Sequence, residues 1–209
     1  MKYLDEEIAK LEKEQRRQKL LQEQPVKPIN EEAKAYPRQE ETLNHEEIII
    51  GVKNGFLDHE IIQLNFERLN ILNTGISLNF PKDYFICALD TEEHLVFNNN
   101  DHAINFIFNS FEAKETFSMT KMKTTMIQQY KDMEIPVNWI EDGVMNSRQQ
   151  EVNYCLFTNY VANGVVFNFL AFLRTGSRQL LININGTDQR RDLWKAIVEG
   201  MIATLEVES

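Results

Sequence analysis

Val165 to Leu173 reads Val-Val-Phe-Asn-Phe-Leu-Ala-Phe-Leu, apolar at nearly every position. A strand of this kind has to be covered on both faces, because either face left in water would expose large side chains. The residues around it frame it as the middle of a three-stranded unit. Upstream, Val152, Tyr154, Leu156, Thr158 and Tyr160 alternate with Asn153, Cys155, Phe157, Asn159 and Val161, the period of two that a strand requires. Asn163-Gly164 joins the two, and both positions tolerate positive φ, so the pair predicts a type I′ hairpin turn. Downstream, Thr175-Gly176-Ser177 turns the chain and Leu180 to Asn185 returns with Leu180, Ile182 and Ile184 on one side.

Gly186-Thr187-Asp188 ends that strand, with Thr187 or Asp188 placed to cap a helix start. Leu193, Trp194, Ile197, Val198, Met201, Ile202 and Leu205 then form a wide apolar stripe, so the last helix is expected to lie flat on the sheet. Gly200 interrupts it at a cost of roughly 1 kcal/mol against alanine. That cost predicts a close backbone contact there.

Earlier in the chain, residues 1–24 carry dense charge without Gly or Pro and favour a helix. Leu4, Ile8 and Leu11 supply too few apolar positions for a coiled coil. Pro25, Pro28 and Pro37 punctuate a polar linker over 25–44, and a folded domain is expected over 45–209. Ile48-Ile49-Ile50 and Val52, with Ile61, Ile62, Leu64 and Phe66, are expected to form one or two short strands around Asn54-Gly55. Further strands are predicted over Gly75 to Pro81, Tyr84 to Leu89, Leu95 to Phe97, Ala103 to Phe111 and Val137 to Ile140. Ser118 opens a second helix, in which Met119, Met122, Met126, Tyr130 and Met133 recur at helical spacing before Pro136. Tight turns between successive strands imply an antiparallel sheet, and two helices with single apolar stripes imply cover on both its faces. The expected fold class is therefore α+β: an α/β/α sandwich with a mainly antiparallel central sheet, plus an N-terminal helical tail.

Bulk properties narrow the function classes. A net charge of −10 disfavours a nucleic-acid groove and an anionic membrane surface. No run of 18 apolar residues occurs, so no membrane insertion is expected. With no signal-peptide core at the N-terminus, a cytoplasmic location is the expectation. Cys87 and Cys155 form no C-x-x-C pair and are expected to be buried free thiols.

The segment Gly75-Ile76-Ser77-Leu78-Asn79-Phe80-Pro81, the long hairpin across Asn163-Gly164, and the closing unit resemble the PsbP-like superfamily, and within it the DcrB-related bacterial proteins. The closing unit is Leu180-Leu181-Ile182-Asn183-Ile184 followed by Arg190-Arg191-Asp192-Leu193-Trp194 and Ile197. The resemblance spans roughly Thr74 to Leu205, a usual domain length. It implies a non-enzymatic binding protein. Members include a photosystem accessory subunit, a Ran-binding import factor and chaperones for type VI secretion effectors. No catalytic motif defines the family, so no catalytic residue is carried over.

The residues themselves agree with that expectation. No G-x-S-x-G, H-E-x-x-H, P-loop or G-x-G-x-x-G motif occurs, and neither a cofactor nor a metal is expected. A hairpin folded symmetrically about Asn99-Asn100 would set His94 opposite Asn105 and His102 opposite Phe97, roughly 10 Å apart, too far for one metal. Arg174 and Arg178 bracket a turn and are expected to lie opposite each other, where an anion or acidic partner segment would relieve their repulsion. The methionine stripe suits an adaptable binding surface but more often forms core. Arg174, Arg178, Met122 and Met126 are thus the candidate partner-binding residues. The expected partner is another protein, bound by a chaperone or adaptor for a secreted effector; a homodimer is allowed. The alternative is a small-molecule or lipid carrier using space between the sheet and the methionine helix.

Overall fold

The computed structural model describes residues 44–113, 118–147, 149–162 and 164–207. The helix expected over 1–24 and the linker expected up to Asn44 lie outside them. Asn44 itself begins the described chain as a helix cap: its side chain accepts a hydrogen bond from the Glu47 N–H at the start of α1 (His45–Asn54). Glu46 and Glu47 in the first turn and Lys53 in the last complement the helix dipole. Gly55, at φ 84°, closes the helix in the left-handed region. The isoleucine run expected as a strand is therefore helical. β-Branched residues favour strands only weakly, and here caps at both ends, with Ile48 and Val52 buried one turn apart, decide otherwise.

Four strands, β1 (Phe56–His59), β2 (Ile62–Ile71), β3 (Ile76–Pro81) and β11 (Glu206–Val207), form a small antiparallel sheet in the order β1-β2-β3-β11. The large sheet has seven strands: β4 (Ile86–Asp90), β5 (His94–Asn99), β6 (Ile104–Glu112), β7 (Val137–Asn146), β8 (Glu151–Val161), β9 (Gly164–Thr175) and β10 (Arg178–Thr187). Their order is β4-β5-β6-β10-β9-β8-β7, with every neighbouring pair antiparallel. Helix α2 (Met119–Asp132) intervenes between the inner strand β6 and the edge strand β7, and Ser118 caps it by accepting from the Lys121 N–H. After a 3-10 turn at Asp188–Arg190, α3 (Arg191–Ala203) completes the main elements.

The first face of the large sheet carries the main core. Phe167, Phe169, Ala171 and Leu173 of β9, Leu180, Ile182 and Ile184 of β10, and Phe106 and Phe108 of β6 are all buried there. Helix α3 covers them with Leu193, Trp194, Ile197 and Met201, so its stripe lies against the sheet as expected. From β3, Phe80 reaches in with its ring 5.3 Å from Phe106, which in turn sits 5.9 Å from Trp194. On the opposite face Leu170 and Phe172 are buried as well, so the two-sided cover expected of this strand is present.

Gly200 marks the crossing of α1 and α3. A Cβ added there would lie 2.8 Å from Val52 Cβ, a stiff branched atom that cannot swing away. Gly200→Ala should therefore lower stability by about 1–3 kcal/mol through overpacking, less the roughly 1 kcal/mol gained in helix propensity. Urea unfolding that found the variant more stable than the parent would contradict this crossing.

Several local expectations change. Val161 pairs with Gly164, so the turn falls between these two residues and Gly164 belongs to the strand instead of the turn that the Asn-Gly pair suggested; Asn163 lies outside the described residues. His94 lies opposite Asn109 and Phe97 opposite Phe106, because the turn spans Asn100–Ala103 and is held by Asn99 Oδ1 accepting from the His102 N–H at 3.1 Å. Thr187 makes no side-chain cap; Asp188 instead pairs with Arg191 at 3.0 Å. Cys87 is exposed rather than buried, since β4 is an edge strand.

Candidate functional site

Among the described residues, a helix covers the second face of the large sheet over only part of its width. Helix α2 lies over β7, β8 and β9, where Met119, Met122, Met126 and Tyr130 pack on Cys155, Phe157, Leu170 and Phe172. Phe157 is the centre of this smaller core, stacked on Trp139 at 5.6 Å and met edge-on by Tyr130 at 5.7 Å. Met122 and Met126 are half-buried and face the sheet, while Met133 and Ile127 stay exposed. The helix is thus a partly wetted lid, since none of its residues is fully buried.

A polar cluster ties the lid to β7. Lys123 Nζ of α2 donates to Asp142 Oδ1 of β7 at 2.8 Å, and Trp139 Nε1 donates to the same oxygen at 2.6 Å. The Lys123 ammonium also lies 4.7 Å from the Trp139 ring centroid, within cation–π range. The Lys123 hydrogen bond first, then that from Trp139, hold the Asp142 carboxyl below its usual range. A lowered pKa contributes stability that is present above the unfolded-state value and lost as pH falls through the folded-state value. Acid titration should therefore loosen α2 in that window, and Asp142→Asn should remove the acid dependence; hydrogen exchange of the α2 amides against pH checks it.

Beneath the lid, burial first and then the Asp142 charge push the Cys155 thiol up to about 12. At neutral pH it holds almost no thiolate, the reactive form. A thiol reagent should label the native chain only at Cys87, with Cys155 reacting after denaturation. Fast labelling of a Cys87→Ser variant would contradict the burial.

Beyond α2 no other described helix lies on the same face across β10, β6, β5 and β4. Registers place Asn168, Asn185, Asn105 and Asn98 side by side on successive strands. Asn105 Nδ2 donates to Asn185 Oδ1 at 3.0 Å, and Asn168 Nδ2 donates to Asn159 Oδ1 at 2.6 Å. The adjacent row runs Leu170, Asn183, Ile107, Val96 and Leu89. In that row the Asn183 side-chain oxygen is buried without a hydrogen-bond partner. Ile86 is 70% exposed, Leu89 45% and Phe111 41%. Amide groups alternating with large apolar side chains make a surface that can both hydrogen-bond and exclude water. At the middle of the asparagine row, Asn99, Asn105, Asn185, Thr187, Val165 and Val166 help to line an uncharged cavity of about 390 Å³.

The sequence-predicted site residues do not converge. Arg174 pairs with Gln179, not Arg178, because the turn register is one residue off the symmetric one. Successive residues of a strand face opposite ways, so Arg174 lies on the second face and Arg178 on the first. Arg178 is tied down there, donating to Ser110 Oγ at 2.8 Å and to Glu93 at 3.3 Å. The asparagine row and the bare apolar positions were not anticipated. Asn183 and Asn185 at alternate positions, with Asn105 and Asn109 on one side of a second strand, were a usable signal, but only the registers bring the row together.

Among the described residues, no group of three or more His, Cys, Asp or Glu is placed to hold a metal. His94 bonds Asn109 Oδ1 at 2.7 Å, and the His102 ring stacks on Tyr84 at 5.4 Å.

The architecture is a PsbP-like α+β fold. Among solved structures, the chain is similar to CyanoP, the cyanobacterial PsbP of Synechocystis sp. PCC 6803, at a TM-score of 0.53 and 11% identity, covering 72% of this chain and 97% of that one. It is also similar to the Ran-binding protein Mog1p of Saccharomyces cerevisiae, at a TM-score of 0.47 and 12% identity, over 69% of this chain and 96% of that one. No family model matches the sequence, and no curated protein sequence does.

Proposed function

We propose that this chain is a non-enzymatic protein-binding module of DcrB-related type, acting as a chaperone or adaptor for a secreted effector in the cytoplasm. One observation carries the reading: among the described residues no helix covers the second sheet face beyond α2, and Ile86, Leu89 and Phe111 are exposed there on a face that also carries a row of amide side chains. Exposed apolar groups rimmed by polar ones mark surfaces that meet another macromolecule. Met122 and Met126 border this face through the lid and can shift with it, as methionines adapt their shape readily. Among the described residues, no helix is long and apolar enough to cross a membrane. The carrier alternative draws no support from the interval between sheet and α2, which Met119, Met122, Met126 and Tyr130 fill.

A photo-crosslinking amino acid at Phe111 tests the reading in cells. One discrete protein adduct, absent when the crosslinker replaces Ile50 on α1, is the expected result. Adducts from neither position, or equally from both, would remove the basis for the proposal.

A further inference from the structure

The two edges of the large sheet are guarded very differently. On β7, Glu141 is paired with Lys195 of α3 at 2.7 Å and Asp142 with Lys123 of α2 at 2.8 Å. Both edge strands carry a register shift, at Ile140 on β7 and between Cys87 and Leu89 on β4, so the difference lies in the charges and the helices. Charges, covering helices and bulges are the usual means of stopping strand addition. The edge strand β4 reads Ile86-Cys87-Ala88-Leu89-Asp90, with no Lys and no Pro, and all five residues are exposed. Among the described residues it pairs along one side only, with β5, and its one irregularity is a register shift between Cys87 and Leu89.

The charges flanking this strand are of one sign. Between Lys82 and His94 lie Asp83, Asp90, Glu92 and Glu93, all exposed. Lys82 is answered by Glu67 at 3.6 Å, and Glu93 is partly answered by Arg178. A second copy of this chain, itself at −10, would bring carboxylates against carboxylates. A basic segment would not.

We propose that β4 accepts an extended segment of a partner protein as an eighth strand. That segment carries apolar side chains at alternate positions, facing Ile86 and Leu89, and Lys or Arg at its ends, facing the flanking carboxylates. Main-chain hydrogen bonds to the open edge hold it, and the alternating side chains and terminal charges select it. The inference rests on the protein-binding reading above and names the chemistry of the partner.

The probe is a synthetic peptide of about ten residues, long enough to span one strand, alternating valine and threonine between lysine pairs. It should bind the full chain, slow the exchange of the Ile86–Asp90 amides, and bind about tenfold or more weakly when glutamates replace the lysines. Ile86→Lys, at a position 70% exposed, should weaken binding by about tenfold without moving the melting temperature, since lysine guards an edge without disturbing the interior. Slowed exchange elsewhere, or binding unchanged in Ile86→Lys, overturns the assignment to β4. So does sedimentation showing a dimer that Ile86→Lys dissolves, which would make the occupant a second copy. A Phe111 adduct in cells together with unchanged peptide binding by Ile86→Lys would leave the protein-binding reading standing and remove this one.

Discussion

Replacing Trp194 with alanine should cost about 3–5 kcal/mol of folding stability, a large share of the roughly 5–15 kcal/mol available to a domain. Trp194 is 1% exposed, and its ring contacts Phe85, Phe106 and Tyr84 at centroid distances of 5.8, 5.9 and 5.8 Å. It therefore joins α3 to β6 and to the segment before β4. Trp194→Phe should cost far less. The indole N–H is buried with no hydrogen-bond partner among the described residues, and deleting an unpaired donor recovers about 1–3 kcal/mol against the lost volume. Urea midpoints for the two variants give the comparison. A phenylalanine variant as unstable as the alanine one would mean that the indole nitrogen is satisfied.

The second large effect is on the smaller core. Phe157→Ala should cost about 3–5 kcal/mol, because the ring is 1% exposed and sits between Trp139 and Tyr130. Its signature differs from that of Trp194. Without Phe157, α2 is left with its half-buried methionine contacts and the Lys123–Asp142 pair, and an exposed ion pair contributes only about 0–1 kcal/mol. The α2 amides should therefore exchange faster while those of α3 keep their protection. In a Trp194→Phe background, emission comes from Trp139 alone and should shift red. Equal loss of protection in both helices would show that the two cores unfold as one unit.

These two sites differ in how plainly the sequence announced them. The α3 stripe from Leu193 to Ile202 and the doubly apolar β9 are one-dimensional patterns, readable because helix and strand periods differ. Gly200 was readable for the same reason: a glycine inside a good helix implies something pressed against it. Ile48-Ile49-Ile50 misled, because three β-branched residues argue for a strand until the caps at Asn44 and Gly55 are weighed beside them. Arg174 and Arg178 misled for another reason. A one-residue change of turn register sends a side chain to the opposite face, and nothing local specifies that residue.

Periodicity and turn chemistry in the sequence alone determined that this chain makes an antiparallel sheet with helices on both sides, since those patterns depend on near neighbours. Only the tertiary structure decided which strands lie at the edges, how far α2 reaches across the second face, and which asparagines stand in one row. Each of these depends on strand order and register, set by packing between residues far apart in the chain. The exposed apolar positions of the second face and the β4 edge belong to this second kind of information, and they are where the proposed function resides.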